Sequence, residues 1–96
     1  MSIRVVARIP AQPDKVDELK SLLAGLLEPT RKESGCIVYE LLQNADDPAD
    51  FTFVEEWESA AHLDAHLKTE HLAGFFSRVP DLVRGEPDVR TYNLVG

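Results

Sequence analysis

Cysteine is almost absent from this 96-residue chain. Cys36 stands alone, so neither an internal disulfide nor a multi-cysteine metal site can form. Basic residues are also scarce, 10 Lys and Arg against 17 Asp and Glu, for a formal net charge of −7. A surface of that sign repels phosphate backbones and sets nucleic acid aside as a partner. No apolar run approaches the ~20 residues needed to cross a bilayer, so no membrane partner is expected. The start, Met1-Ser2-Ile3-Arg4, moves directly into a strand pattern without the features of a signal peptide, which makes a cytoplasmic location the default expectation. Internal repeats, low-complexity segments and a glycine-rich phosphate loop are missing too.

What the chain does have is apolar residues along its whole length, 44% of the total, which argues against disorder. Its size fits one domain, residues 1–96, with a core so small that a partner subunit is a reasonable way to bury more surface. Residues 3–9 alternate, with Ile3, Val5, Ala7 and Ile9 on one face and Arg4, Val6 and Arg8 on the other, and predict a strand ended by Pro10 and Pro13. Pro13 also suits the first turn of a helix. From Val16 to Leu27, leucines at three- and four-residue spacing predict an amphipathic helix that Pro29 kinks or breaks, with Gly35 as the closing punctuation. Residues 36–43 predict a second strand, 44–50 a loop, and 51–57 a third strand with Phe51, Phe53, Glu55 and Trp57 on one face. Ser59 is a helix N-cap for residues 60–69, a further helical stretch covers 71–83 with Pro80 as an interruption, and 87–95 completes the pattern as a strand.

The order β-α-β-β-α-β predicts an α+β fold of ferredoxin-like topology, a four-stranded antiparallel sheet with helices on one face. Strands 3–9 and 36–43 carry apolar residues on both faces, and the helices cover only one. A second copy's sheet would cover the other, so a homodimer forming a dimeric α+β barrel is expected. A monomer with a partly exposed sheet is the alternative.

The densest group of chemistry-bearing residues is Glu55-x-Trp57 followed by His62, His66 and His71. The run F-x-F-x-E-x-W-E-S-x-x-x-L-x-x-H-x-x-x-x-H-x-x-x-F over residues 51–75, with Gly35-Cys36-x-x-Tyr39 and the Asp47-Pro48 loop, resembles the antibiotic biosynthesis monooxygenase family. The resemblance implies oxygenation of a small aromatic, quinol or polyketide-like substrate by molecular oxygen without metal, flavin or haem. A substrate that loses a proton to become an electron-rich anion can itself reduce oxygen. The protein then supplies an apolar pocket, a base and a hydrogen-bond donor.

His66 is the first candidate for the base, because imidazole titrates near neutral pH and this one borders the apolar face of its helix; the alternative is a structural histidine at the core's edge. His71 either binds substrate or caps a helix end. His62, four residues before His66, has the spacing of a metal pair, but no third ligand lies at a recognisable spacing, so an exposed His62 and no metal are expected. Glu55 on an aromatic strand face either pairs with Arg4, Arg8 or a histidine, or acts in catalysis. Trp57 is a pocket wall or core, Tyr39 a pocket hydroxyl or core, and Phe75 and Phe76 line a pocket mouth or pack inside.

A haem-degrading branch with this fold has a second Trp where this chain has His66, its haem-ligating His where this chain has Phe76, and an Asn in the first strand that residues 3–9 lack. Haem degradation is therefore disfavoured. A group that isomerises small sugar-like ketones stays open, as does a non-catalytic, stress-related binding dimer.

Overall fold

A computed structural model of the chain describes residues 2–96. Its elements run β1 (Ile3–Pro10), α1 (Val16–Ala24), α2 (Leu27–Arg31), β2 (Cys36–Gln43), β3 (Asp50–Trp57), α3 (Ala60–Leu67), α4 (Glu70–Leu82) and β4 (Asp88–Tyr92). The four strands form one antiparallel sheet in the order β2-β3-β1-β4, the ferredoxin-like arrangement that the element order predicts. Among the described residues no helix is long and apolar enough to cross a membrane.

Period-two alternation decides which side chains meet the helices. Val5, Ala7 and Ile9 of β1 stand opposite Glu55, Phe53 and Phe51 of β3, and all six are buried against α1, α3 and α4 through Leu19, Leu23, Leu63, Leu72 and Phe75. Arg4, Val6 and Arg8 fall on the uncovered face with Thr52, Val54 and Glu56. Strand β2 breaks the alternation. Its register with β3 shifts between Cys36 and Val38, so Ile37 is an inserted residue, and Cys36, opposite Trp57, shares a face with Tyr39, opposite Glu55. Strict alternation would have put those two side chains on opposite faces.

Both helical stretches are divided in two, and the first divides earlier than its proline implies. The helix gives way at Gly25 and Leu26, and Pro29 sits inside the first turn of α2. A proline ring clashes with the carbonyl four residues back, here Gly25, unless a new helix starts in between. Within a first turn the missing N–H costs nothing. Pro13 falls in the turn before α1, whose first residue is Val16.

The second division falls at Lys68. Thr69, predicted to finish a helix, opens α4 instead: its hydroxyl accepts from the Leu72 N–H at 3.4 Å and donates to the His66 carbonyl at 2.8 Å. Ser59 caps α3 as expected. Pro80 lies in the last turn of α4 without interrupting it. β4 is shorter than its apolar pattern, and all of its residues are exposed.

Gly35 does more than end a helix. Its φ is +84°, a left-handed conformation, and a Cβ there would lie 2.3 Å from the His62 ring. The turn therefore needs glycine twice over, and it delivers β2 into the sheet with Glu33 just behind it.

Candidate functional site

The sheet's covered face and helices α3 and α4 enclose a cavity of about 120 Å³. Its walls are apolar, with Val5 and Ala7 from β1, Phe53 from β3, Leu63 and Leu67 from α3, and Leu72 and Phe75 from α4. Phe76, 45% exposed, stands on the cavity's rim, and Pro87, Val89 and Thr91 close the side toward β4. Polar side chains reach it at four places: Tyr39, Glu55, His66 and Thr91. Three of these are candidates named from sequence, as are Phe75 and Phe76.

Glu55 is 5% exposed. Alternation puts Arg4 and Arg8 on the opposite face of the sheet, so neither pairs with it. It accepts instead from the Trp57 indole N–H at 2.8 Å. Burial without a cation pushes its carboxyl up to about 7; the Trp57 bond opposes that, and the negative charge of Glu33 adds to it. Trp57 itself is wholly buried and does not line the cavity: it stands behind the wall, holding Glu55 and lying against the His66 ring with centroids 4.6 Å apart.

His66 is 2% exposed and lines the cavity from α3. The Tyr39 ring meets it edge-on at 5.5 Å, and Tyr39 in turn stacks on Phe53 at 4.7 Å. Burial holds the imidazole below its usual pKa. A hydrogen bond to Glu33 and that residue's charge work against the shift, and nearby His71 adds to it. Burial, with Glu55 beside it, holds the Tyr39 phenol far above its ordinary range, so that side chain is a donor at any physiological pH.

Sequence reasoning missed Glu33. One of its carboxylate oxygens, Oε2, lies 2.9 Å from His66 Nδ1 and 2.7 Å from His71 Nε2. His71 therefore does not line the cavity; it backs the group that holds His66. One Glu among 17 acidic residues, in a loop and 33 positions before the histidine it binds, gives no periodic signal; its place just ahead of the Gly35 turn was the only hint.

Glu33, His66 and His71 are also three potential ligands within 4.8 Å of one another, a different grouping from the His62–His66 pair that the spacing suggested. Two imidazoles and a carboxylate suit a divalent transition metal. The observed oxygen–nitrogen separations are those of charge-assisted hydrogen bonds, which account for the cluster without an ion. His62, expected to be exposed, is half-buried, its Nδ1 2.8 Å from the Ser59 hydroxyl and its ring over Gly35. It takes no part in the cluster.

The sequence profile of the antibiotic biosynthesis monooxygenase family matches residues 2–78. The chain belongs to that family. The matched segment holds Glu33, Tyr39, Glu55, Trp57, His66, His71, Phe75 and Phe76, whereas Pro87, Val89 and Thr91 lie beyond it.

Rv0793 of Mycobacterium tuberculosis, whose name proposes a monooxygenase activity, is 32% identical over 84% of this chain and 79% of its own length. Its solved structure superposes with a TM-score of 0.93. YgiN of Escherichia coli, named a probable quinol monooxygenase, is 29% identical over 80% of this chain and 84% of its own. The Synechocystis protein sll1783 is 33% identical over 96% of this chain, which spans 63% of the length of that relative.

Proposed function

We propose that this member of the antibiotic biosynthesis monooxygenase family oxygenates a small, single-ring quinol-like substrate in the cavity, using electrons from the substrate rather than from a cofactor. The observation that carries the reading is the convergence of His66, Glu55 and Tyr39 on one largely apolar cavity, with His66 pushed toward its neutral form and Glu55 toward its protonated one. Titratable groups driven apart in this way make a base and an acid that coexist at neutral pH. The names of the relatives, one a probable quinol monooxygenase, agree with it.

The chemistry follows from those protonation states. Neutral His66 takes the phenolic proton of a bound quinol, leaving an anion rich enough to reduce oxygen. A bond forms between a ring carbon and one oxygen atom, and the proton held by His66 passes to the terminal oxygen, giving a hydroperoxide and freeing the base. The O–O bond then breaks as that carbon's hydrogen leaves as a proton to His66, and the departing oxygen takes a proton from Glu55 and leaves as water; the proton on His66 returns to Glu55 to close the cycle. The balance is one quinol and one O₂ to one hydroxyquinone and one water. The Tyr39 hydroxyl donates to the oxyanion.

Cavity size favours one ring: about 120 Å³ is close to the ~150 Å³ that holds a benzene molecule in an engineered protein cavity. Oxygen uptake with a panel running from single-ring hydroquinones to three-ring anthrones tests the proposal. One-ring compounds should be consumed with one O₂ each, and the absence of uptake with every member would overturn it.

The partner expected is a second copy of the chain. On the sheet face that no helix covers, Val6, Val38 and Val54 are half-buried and Leu42 and Tyr92 are exposed. Face-to-face pairing of two such sheets would bury more than about 1,000 Å², enough for a specific dimer. Sedimentation at micromolar concentration should show the dimer, and a stable monomer there would rule the pairing out.

A further inference from the structure

We propose that Glu33 is the positioning residue of this site: its carboxylate, wedged between His66 Nδ1 and His71 Nε2, fixes the His66 imidazole with Nε2 bare toward the cavity and balances the charge that forms when Nε2 takes a proton. The inference rests on His66 as the base and adds a residue that the cavity itself does not contain.

The geometry supports it in three ways. An ionised carboxylate only accepts, so a 2.9 Å contact to Nδ1 puts the imidazole hydrogen on Nδ1 and leaves the lone pair on Nε2. Among the described residues Nε2 has no hydrogen-bond partner, and it is not one of the occluded, unpaired polar atoms, so it keeps some accessible surface on a residue that lines the cavity. Finally, the only ionisable partners of Glu33 among the described residues are the two histidines; no Lys or Arg pairs with it. Its charge is therefore available to an imidazolium in a site where an unpaired one would be strongly disfavoured.

The groups facing His66 are few. Glu33 approaches from the loop before β2, Tyr39 from β2, Glu55 from β3 and His71 from α4. Glu33 is the one carboxylate within hydrogen-bond distance of the ring, and Tyr39 and Glu55 both hold their protons more tightly than usual. His71, with 23% of its side chain exposed against 14% for Glu33 and 3% for His66, anchors the carboxylate from the solvent side.

Nitrogen-15 NMR of the histidine side chains reads the tautomer and titration of His66 without any substrate, so its outcome is separate from that of the oxygen-uptake assay. In the parent protein His66 should be the Nδ1–H tautomer when neutral. Glu33→Gln, which keeps the shape and removes the charge, should lower the His66 midpoint by about one to three pH units, the usual effect of a close opposite charge. His71→Gln should move it the other way, because it removes a like charge while leaving Glu33 in place. With a substrate in hand, Glu33→Gln should lower kcat with little change in KM, and Glu33→Asp should recover part of both effects. An unchanged His66 tautomer and midpoint in Glu33→Gln, or a shift of the same sign in both variants, would reduce Glu33 to a structural tie and overturn the proposal.

Discussion

Glu55 and Asp50 sit on the same strand, β3, and face opposite ways. Glu55 looks into the covered face, where its one hydrogen-bond partner is an indole and burial raises its pKa. Asp50 lies with the uncovered face, where hydrogen bonds from Asn44 and Arg8 lower its pKa. Other groups on the two sides of the sheet differ in the same sense. On the uncovered side three acids have a guanidinium beside them: Arg4 lies 3.6 Å from Glu56, Arg8 3.2 Å from Asp50, and Arg90 3.0 Å from Asp88. On the covered side Glu55 and His66, among the described residues, have no Lys or Arg partner and lie against aromatic rings and apolar walls. Water and counter-charges make the first set ordinary, and their exclusion makes the second chemically poised.

The sharpest break of that contrast is His66→Ala, which should lower turnover by about 10² to 10⁴, the usual worth of a general base. His62→Ala, four residues away on the same helix but bonded to Ser59 outside the cavity, should leave turnover near the parent's. Steady-state oxygen uptake measures both, and equal losses would show that the helix rather than the base was damaged.

Next in size is the pH dependence of Glu55→Gln. A carboxyl raised from 4.5 to about 7 in the folded state binds its proton more tightly there than in the unfolded chain. Its stabilising contribution is present below about pH 4.5 and is lost as pH rises through 7. The parent should therefore lose about 3 kcal/mol relative to Glu55→Gln between pH 4 and pH 8, read from urea unfolding at both. The lowered pKa of His66 acts in the opposite sense, costing stability as pH falls through 6.5, and it enters parent and variant alike.

The smallest effect belongs to the uncovered face. Arg8→Ala removes an exposed ion pair and should change stability by less than about 1 kcal/mol, with turnover unaffected. A larger loss on this face would erase the distinction between the two sides.

Much of this frame is written in local patterns. The alternation of residues 3–9 and 51–57 correctly placed Val5, Phe53, Glu55 and Trp57 on one face, and Ser59 marked the start of α3. The same period of two puts Arg4 and Arg8 on the face away from Glu55, so periodicity alone excludes both as its partners. Other features left no local trace. The extra residue at Ile37, which brings Cys36 and Tyr39 to the same side, does not disturb a strand that is apolar on both faces. The division of the first helix follows from where the Pro29 ring would strike, which is four residues earlier than the proline itself.

The sequence by itself determined the element order, the sheet's covered face and the candidacy of His66, Glu55 and Tyr39, because periodicity and residue chemistry are properties of short segments. Only the tertiary structure decided that Trp57 backs the cavity instead of lining it, that His71 bonds Glu33, and that Glu33 reaches His66 at all. Those contacts join a loop before β2 to two separate helices, and the ionisation of each group depends on how much water the others leave between them, a quantity that no segment carries alone.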